Sequence, residues 1–259
     1  MPSRIISHRG LCRKHAWLPR KGENTLEAFE EGVHILEAMG QKKAIELDVR
    51  RAKDGVLVVR HHERLEVTTN CVGNVWDYTS TELKAFNAGY GRKIPLLTEV
   101  LDRFKNEDVE LTIELKENGI IHDVKRLVLE RGLEKRVVIA AFDKDDNDRR
   151  YRFPERFSNW EELPHAGPEL RFAFLATKKK VKSMGAPALT EYAKTHGAFA
   201  LHVHAGAVTK SMVQLAHFAG LGLRAYTVNR KREFKRLAAM GVDAVFCDNP
   251  KFLHDKTHA

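Results

Sequence analysis

The stretch Ala44-Ile45-Glu46-Leu47-Asp48-Val49-Arg50-Arg51-Ala52-Lys53-Asp54-Gly55-Val56-Leu57-Val58-Val59-Arg60-His61 reads as two strands joined by a turn. Six residues separate Val49 from Val56, too few for the crossover that parallel strands need. Asp54-Gly55 is a strong hairpin turn signal. Val56–Arg60 is therefore expected to return antiparallel beside Ala44–Val49. With Asp54 and Gly55 as the two turn residues, Lys53 pairs with Val56 and Asp48 lies opposite His61. Directly opposed side chains share a face, with Cβ atoms ~5 Å apart. Glu46 and Asp48, two apart on one strand, point the same way. This register brings Glu46, Asp48 and His61 together and turns His62 to the opposite face; a slip of one residue would exchange the two histidines. If that face is a barrel interior, paired carboxylates repel, lose hydration and need a cation or protons. The alternative is an ordinary exposed strand face.

Outward from the hairpin, short apolar segments alternate with longer amphipathic ones. Candidate strands are Arg4–Ser7, Glu110–Leu115, Arg136–Ala140, Leu170–Leu175, Phe199–Val203, Leu223–Val228 and Ala244–Cys247. Helical patterns cover Thr25–Met39, Thr98–Phe104, Ile121–Arg131, Ala188–Thr195, Lys210–Phe218 and Lys231–Met240. Strands alternating with helices argue for parallel β/α units. Nine strand candidates less the hairpin's return strand leave eight, the count of a (β/α)8 TIM-type barrel, and 259 residues is the usual size of one. The stretch from about 62 to 94 breaks the alternation and reads as a small insertion after the second barrel strand and its hairpin, with a short helix near Thr79–Phe86. No linker or repeat divides residues 1–259, so a single domain is expected.

The formal net charge of +9 favours an anionic partner. The densest basic run, Lys178-Lys179-Lys180-Val181-Lys182, carries no interleaved aromatics, so it reads as a solvated loop or helix end and nucleic acid is not an expected partner. Cys12, Cys71 and Cys247 are too few and too scattered for a disulfide framework or a zinc knuckle. The N-terminal residues lack the apolar run of a signal peptide, and no stretch approaches the ~20 apolar residues of a membrane span. The expectation is a cytoplasmic protein without a transmembrane segment.

A third carboxylate lies in Glu110-Leu111-Thr112-Ile113-Glu114-Leu115-Lys116, with Glu114 and Lys116 at the strand's C-terminal end, where barrel active sites are built. His8 closes the first strand and is followed by Arg9-Gly10. Three carboxylates without a thiolate form a hard oxygen site suited to Mg²⁺, Ca²⁺ or Mn²⁺. Such an ion polarises a phosphoryl oxygen, two histidines serve as general acid and base, and Arg9 and Lys116 suit non-bridging phosphate oxygens. Both cations are expected at the barrel mouth, as surface-like charges that contribute little to folding.

These segments resemble the glycerophosphodiester phosphodiesterase family, within the phospholipase-C-like phosphodiesterase barrels. The matching segments are His8-Arg9-Gly10, Gly22-Glu23-Asn24-Thr25, Glu46-Leu47-Asp48-Val49, Lys53-Asp54-Gly55 with Val58-Val59 and His61-His62, Thr68-Thr69, Gly73, Ser80-Thr81-Glu82-Leu83, Ile94-Pro95-Leu96-Leu97, Ile113-Glu114-Leu115-Lys116, Ala141-Phe142-Asp143, Tyr226-Thr227-Val228-Asn229 and Gly241-Val242-Asp243-Ala244. They span residues 5–250 in the family's order. The resemblance implies that His8 and His61 form the acid–base pair, and that Glu46, Asp48 and Glu114 bind a divalent cation (Mg²⁺ or Ca²⁺, with Mn²⁺ third). It assigns Arg9 and Lys116 to the phosphate and Glu23 and Asn24 to support. The implied substrate is a small-molecule glycerophosphodiester, cleaved to an alcohol and glycerol 3-phosphate. Direct attack by water and passage through a cyclic phosphate both stay open, as does the oligomeric state.

The chain departs from the family pattern at Gly22, where the family has proline, and at His62, where it has an acid. Tyr226 stands for a tryptophan and adds a hydroxyl to the expected substrate wall, and Cys247-Asp248 stands for Thr-Asp. Rival readings are cleavage of a lysophospholipid or a sugar-phosphate diester on the same scaffold, and a non-catalytic phosphate-binding protein.

Overall fold

The computed structural model describes residues 4–11, 22–143 and 160–253. Eight strands run parallel: β1 (Arg4–His8), β2 (Ala44–Arg51), β4 (Glu110–Leu115), β5 (Val137–Phe142), β6 (Arg171–Ala176), β7 (Ala200–His204), β8 (Gly222–Tyr226) and β9 (Ala244–Cys247). They follow the order β1-β9-β8-β7-β6-β5-β4-β2, and β1 pairs back onto β2 through Ser7–Ile45 and His8–Glu46. The sheet thus closes into a barrel. β3 (Leu57–Val59) lies antiparallel on β2, outside the parallel ring. The eight-strand reading with one extra hairpin strand holds, and most strand ends fall within two residues of those expected.

The hairpin register differs from the expected one. Val49 pairs with Val59 and Arg51 with Leu57, so Ala52 faces Val56 across the three residues Lys53-Asp54-Gly55. The Gly55 N–H donates to Ala52 O at 3.0 Å and the Ala52 N–H to Val56 O at 2.9 Å. Gly55 takes φ +84°, the left-handed position that a three-residue hairpin loop reserves for glycine. The tight two-residue turn is replaced by this bulged one, and Asp48 now faces Arg60, whose N–H donates to its carbonyl at 2.8 Å.

Among the described residues, eight α-helices accompany the strands: α1 (Leu26–Ala38), α2 (Ser80–Ala85), α3 (Leu97–Phe104), α4 (Ile121–Leu129), α5 (Lys178–Met184), α6 (Ala186–Thr195), α7 (Lys210–Phe218) and α8 (Lys231–Met240). Outward strand residues such as Ile45, Leu47, Val49, Leu111 and Ile113 share one buried core with Phe29, Leu36, Leu101, Val124 and Leu237 of the helices. The opposite faces fill the lumen, with Val138, Ala140, Ala173, Leu175 and Ala200 on one side and Ile6, Ala44, Ala244 and Phe246 on the other. At the strands' N-terminal ends the lumen is plugged by Glu110, which meets Arg224 at 2.8 Å, Arg4 at 3.5 Å and Arg171 at 3.8 Å. The insertion carries a small core of its own, with Leu65, Val75, Leu83, Ala88 and Ile94 packed on Ala52 and Val58 of the hairpin. The lysine run opens α5 with Lys178, Lys179 and Lys182 exposed, the helix end that was one of the two expectations, while Lys180 is buried, ion-paired with Asp143 and 5.4 Å from the Trp160 ring. Among the described residues, no helix is long and apolar enough to cross a membrane.

Candidate active site

The polar end of the lumen is the C-terminal end of β1, β2 and β4. Strand alternation turns Glu46 and Asp48 of β2 inward, and the β2–β4 register sets Asp48 beside Glu114. Oxygens of Glu46, Asp48 and Glu114 lie within 4.8 Å of one another, all buried. Three carboxylates in so dry a place repel one another strongly. Two cations share them. Lys116 Nζ sits 3.2 Å from Asp48 Oδ1 and also contacts Glu114, and Arg9 Nε sits 3.2 Å from Asp48 Oδ2. Arg9 and Lys116 are only 8% and 6% exposed, so the expectation of surface-like charges at the mouth fails; the loops after β1 and β4 fold them into the lumen.

The pairing is uneven. Burial opposes ionisation of Asp48, yet Lys116, Arg9 and the Asn24 amide together hold its carboxyl below the usual range. Burial, reinforced by the charges of Asp48 and Glu114, pushes Glu46 well above it. Burial likewise raises Glu114, partly offset by Lys116. Glu46 Oε1 is buried with no hydrogen-bond partner among the described residues, and Asp48 Oδ1 has the Lys116 ammonium beside it at 3.2 Å. Convergent, dehydrated carboxylate oxygens are what a hard divalent cation requires, so these three residues fit one.

Backbone strain helps to build the site. Arg9 and Asn24 both take left-handed φ, +56° and +55°. The Asn24 N–H donates to Arg9 O at 3.0 Å, which ties the two loops together. The Asn24 side chain then brackets Asp48, donating to Oδ2 at 2.8 Å and accepting from its N–H at 3.1 Å. Glu23 accepts from Arg9 Nη1 at 3.0 Å. Gly22 stands at φ +83° and its N–H donates to Ala88 O at 2.8 Å. Proline can do neither, so this departure belongs to a different loop path. Gly10 allows the first loop to lie against α1, where a Cβ would meet Ala28 C at 2.5 Å.

His8 Nδ1 lies 2.7 Å from Asp248 Oδ1 and its Nε2 3.8 Å from Glu46 Oε2. Asp248 is itself held by Asn229, whose amide donates at 2.7 Å. Burial, with the charge of Arg9, lowers the pKa of His8 against the pull of Asp248. A neutral ring that donates Nδ1–H to a carboxylate leaves its Nε2 lone pair facing the carboxylates.

His61 and His62 both reach this region, which strand alternation does not allow. β3 ends at Val59, and beyond it two buried arginines hold the backbone: Arg50 Nε donates to His61 O at 2.9 Å and Arg60 Nε to His62 O at 3.0 Å. The two rings meet edge-on with centroids 4.4 Å apart. Nitrogens of both rings and an oxygen of Glu23 lie within 4.8 Å of one another. Burial, with Arg9 and Lys116 nearby, lowers His61 well below its usual pKa, and burial with Arg9 and Arg60 brings His62 down to about 3. His61 Nδ1 is buried without a hydrogen-bond partner among the described residues.

Across the lumen, the Tyr226 hydroxyl donates to Ala176 O at 2.9 Å, and its ring stands edge-on to Phe142 and His204. The hydroxyl that distinguishes it from tryptophan is thus engaged with backbone. Asp248, Asn229, Arg50 and Arg60 are the residues that sequence reasoning left without a role. The signal available for Asp248 was its place just after the last strand.

Comparison with known proteins follows the same lines. The model of the Glycerophosphoryl diester phosphodiesterase family matches residues 8–252. A glycerophosphodiester phosphodiesterase from Bacillus altitudinis is 31% identical over 263 residues, covering 96% of this chain and 95% of its own. One from Caldanaerobacter subterraneus subsp. tengcongensis is 29% identical over 265 residues, covering 98% and 97%. A solved structure of an Oleispira antarctica phosphodiesterase, in complex with the product sn-glycerol-3-phosphate, superposes with a TM-score of 0.71 at 23% identity, covering 97% of this chain and 95% of that one.

Proposed function

Since the chain belongs to the glycerophosphoryl diester phosphodiesterase family and is an enzyme of that class, we propose that it hydrolyses small glycerophosphodiesters to an alcohol and glycerol 3-phosphate, at the end of the lumen where Glu46, Asp48 and Glu114 converge. The observation that carries the reading is that triad of dehydrated carboxylate oxygens, with Glu46 Oε1 lacking a donor, flanked by Arg9, Lys116, His8 and His61. Glu46, Asp48 and Glu114 would hold Mg²⁺ or Ca²⁺, or Mn²⁺, and the ion would polarise a phosphoryl oxygen and neutralise developing charge.

Arg9 and Lys116 bind the non-bridging oxygens, released from part of their pairing with Asp48 once the triad's charge is otherwise neutralised. His8, neutral and oriented by Asp248, accepts a proton at Nε2 from the attacking water, or from a substrate hydroxyl whose cyclic phosphate water then opens. His61 is kept neutral by burial and by the charges of Arg9 and Lys116. A phosphodiester anion seated between those cations offsets them, so His61 gains basicity as substrate binds, takes up a proton from solvent and donates it to the leaving alcohol. Phe142 and Tyr226 form the wall against which that alcohol packs. The test is a matrix of several glycerophosphodiesters, a lysophospholipid and an aryl phosphodiester, each with Mg²⁺, Mn²⁺, Ca²⁺ and Zn²⁺. Turnover of glycerophosphodiesters is expected, abolished by chelation and restored by Mg²⁺, Ca²⁺ or Mn²⁺. Full activity after exhaustive chelation, or preference for the lysophospholipid, refutes the corresponding part.

A further inference from the structure

We propose that Glu23, His61 and His62 form a second cation site, selective for zinc-class ions over Mg²⁺, whose occupation takes His61 out of proton transfer and holds the enzyme inactive. The binding half rests on the placement and chemistry of the three donors; the inhibitory half rests on the role given to His61 above.

Two imidazole nitrogens and a carboxylate oxygen already lie within 4.8 Å of one another, and His62 Nε2 is 3.9 Å from Glu23 Oε1. Tetrahedral ligands at zinc–ligand distances of about 2.0–2.1 Å stand roughly 3.3 Å apart, so the donors must close by about 1.5 Å. The backbone need not move for that. Arg50 and Arg60 fix the carbonyls of His61 and His62, so ring rotation supplies the closure, and the entropy lost on binding is small. The His62 side chain is 31% exposed, which gives an ion a route in and leaves a coordination position for water.

The ligand chemistry separates this cluster from the carboxylate triad. Two nitrogens and one oxygen form a borderline donor set that favours Zn²⁺, Ni²⁺ or Co²⁺, whereas three carboxylates favour Mg²⁺ or Ca²⁺. Both imidazoles are held neutral, so no proton has to leave before they ligate. His61 Nδ1 is buried and lacks a hydrogen-bond partner among the described residues, a state that coordination would relieve. Arg9 opposes the ion, because it is bonded to Glu23. A bound ion competes for that carboxylate, so filling the site perturbs a phosphate-binding cation as well as His61. The residue that creates the site is His62, where the family pattern has an acid.

The experiment titrates Zn²⁺, and Co²⁺ as a spectroscopic probe, into the full chain holding Mg²⁺ in large excess. Binding is followed by calorimetry and cobalt absorption, and hydrolysis of a glycerophosphodiester is measured in parallel. The expected result is one tight ion per chain, with hydrolysis lost at matching concentrations. In His62→Asn, or His62→Gln should the first fold poorly, binding weakens by at least about tenfold and zinc inhibition weakens with it. In Glu46→Gln, which cripples the triad, the zinc-class ion still binds. Equal zinc affinity in wild type and His62→Asn overturns the site. Binding that depends on His62 with hydrolysis indifferent to zinc overturns the inhibitory half, and with it the role of His61 in proton transfer. Binding that depends on His62 in a protein without phosphodiesterase activity supports the site and refutes the proposed function instead.

Discussion

Glu46→Gln should make the metal-free protein more stable while removing its response to metal. Glu46 is 3% exposed, and its carboxyl is pushed well above the ordinary value near 4.5 by burial and then by the charges of Asp48 and Glu114. The side chains of Arg9 and Lys116 pair with Asp48 and Glu114, so Glu46 carries the least compensated charge. Glutamine keeps the shape. Its carbonyl can accept the Arg9 N–H that Glu46 Oε2 accepts at 2.9 Å. Its amide would stand where Oε1 lacks a donor and can donate to the neighbouring carboxylates. Relieving a buried unsatisfied group amounts to about 1–3 kcal/mol. At roughly 2–4 °C per kcal/mol for a chain near this size, the melting temperature without metal rises by about 2–12 °C. The sign with pH follows from linkage. A carboxyl whose folded pKa is raised is not penalised below its unfolded pKa, and the penalty grows as pH climbs through the ordinary value towards the raised one. The advantage of Glu46→Gln should therefore vanish below about pH 4.5 and grow as pH rises from there towards the raised pKa. Saturating Mg²⁺ reverses the ranking, since a ligand at 1,000 times its Kd stabilises wild type by about 4.1 kcal/mol and the variant scarcely at all. Differential scanning calorimetry across pH, with chelator and with Mg²⁺, reads all of this. A variant that melts below wild type at neutral pH without metal, or that gains as much from Mg²⁺, refutes the assignment of Glu46 as a strained ligand.

Lys116→Ala should destabilise the metal-free protein by about 3–5 kcal/mol, because it leaves buried charges uncompensated, and Mg²⁺ should recover part of that; a melting temperature unchanged without metal would refute the buried pairing. Asp248→Asn removes the hydrogen bond and the charge that raise the pKa of His8, so the pH–rate limb set by His8 should move to lower pH. Loss of a charge-assisted bond of about 1.5–3 kcal/mol should lower kcat/KM roughly 10–150-fold, and an unmoved limb would show that His8 is not the group titrating. His8→Ala and His61→Ala should each lose about 10²–10⁴-fold in rate, non-additively in the double variant. With a nitrophenyl ester, whose leaving group needs no proton, His61→Ala should recover and His8→Ala should not; the reverse pattern exchanges their roles.

The barrel was legible because its signals are local. Turn residues, the six-residue gap at the hairpin and eight short apolar runs suffice to count strands, and burial of Leu47, Ile113 and Val245 against the helices follows from strand period. The triad was legible for the same reason: Glu46 and Asp48 share a face by alternation, and Glu114 ends the neighbouring strand. The partners of those residues were not. Asp248 meets His8 across 240 positions, and only closure of the barrel brings the last strand to the first. Burial of Arg9 and Lys116 was also hidden, because residues after a strand end read as mouth residues until the loops carrying them are seen to turn inward.

The histidine after β3 shows where local geometry stops being the right tool. The Lys53-Asp54-Gly55 loop shifts the hairpin register by one residue, and pure alternation would then turn His61 away from Asp48. Yet both His61 and His62 come within 4.8 Å of Glu23. Two effects compete, and burial of charge decides. A guanidinium buried as deeply as Arg50 or Arg60, at 2% and 3% exposure, must find acceptors or forfeit a large solvation energy. The backbone beyond Val59 supplies them: the carbonyls of His61, His62, Arg64 and Leu65 each accept from one of these two side chains. Several charge-assisted bonds at about 1.5–3 kcal/mol each outweigh the fraction of a kcal/mol to 1 kcal/mol that a cross-strand pair contributes. The chain therefore leaves the sheet at Val59 and follows the arginines, and they, rather than the ladder, aim the two imidazoles.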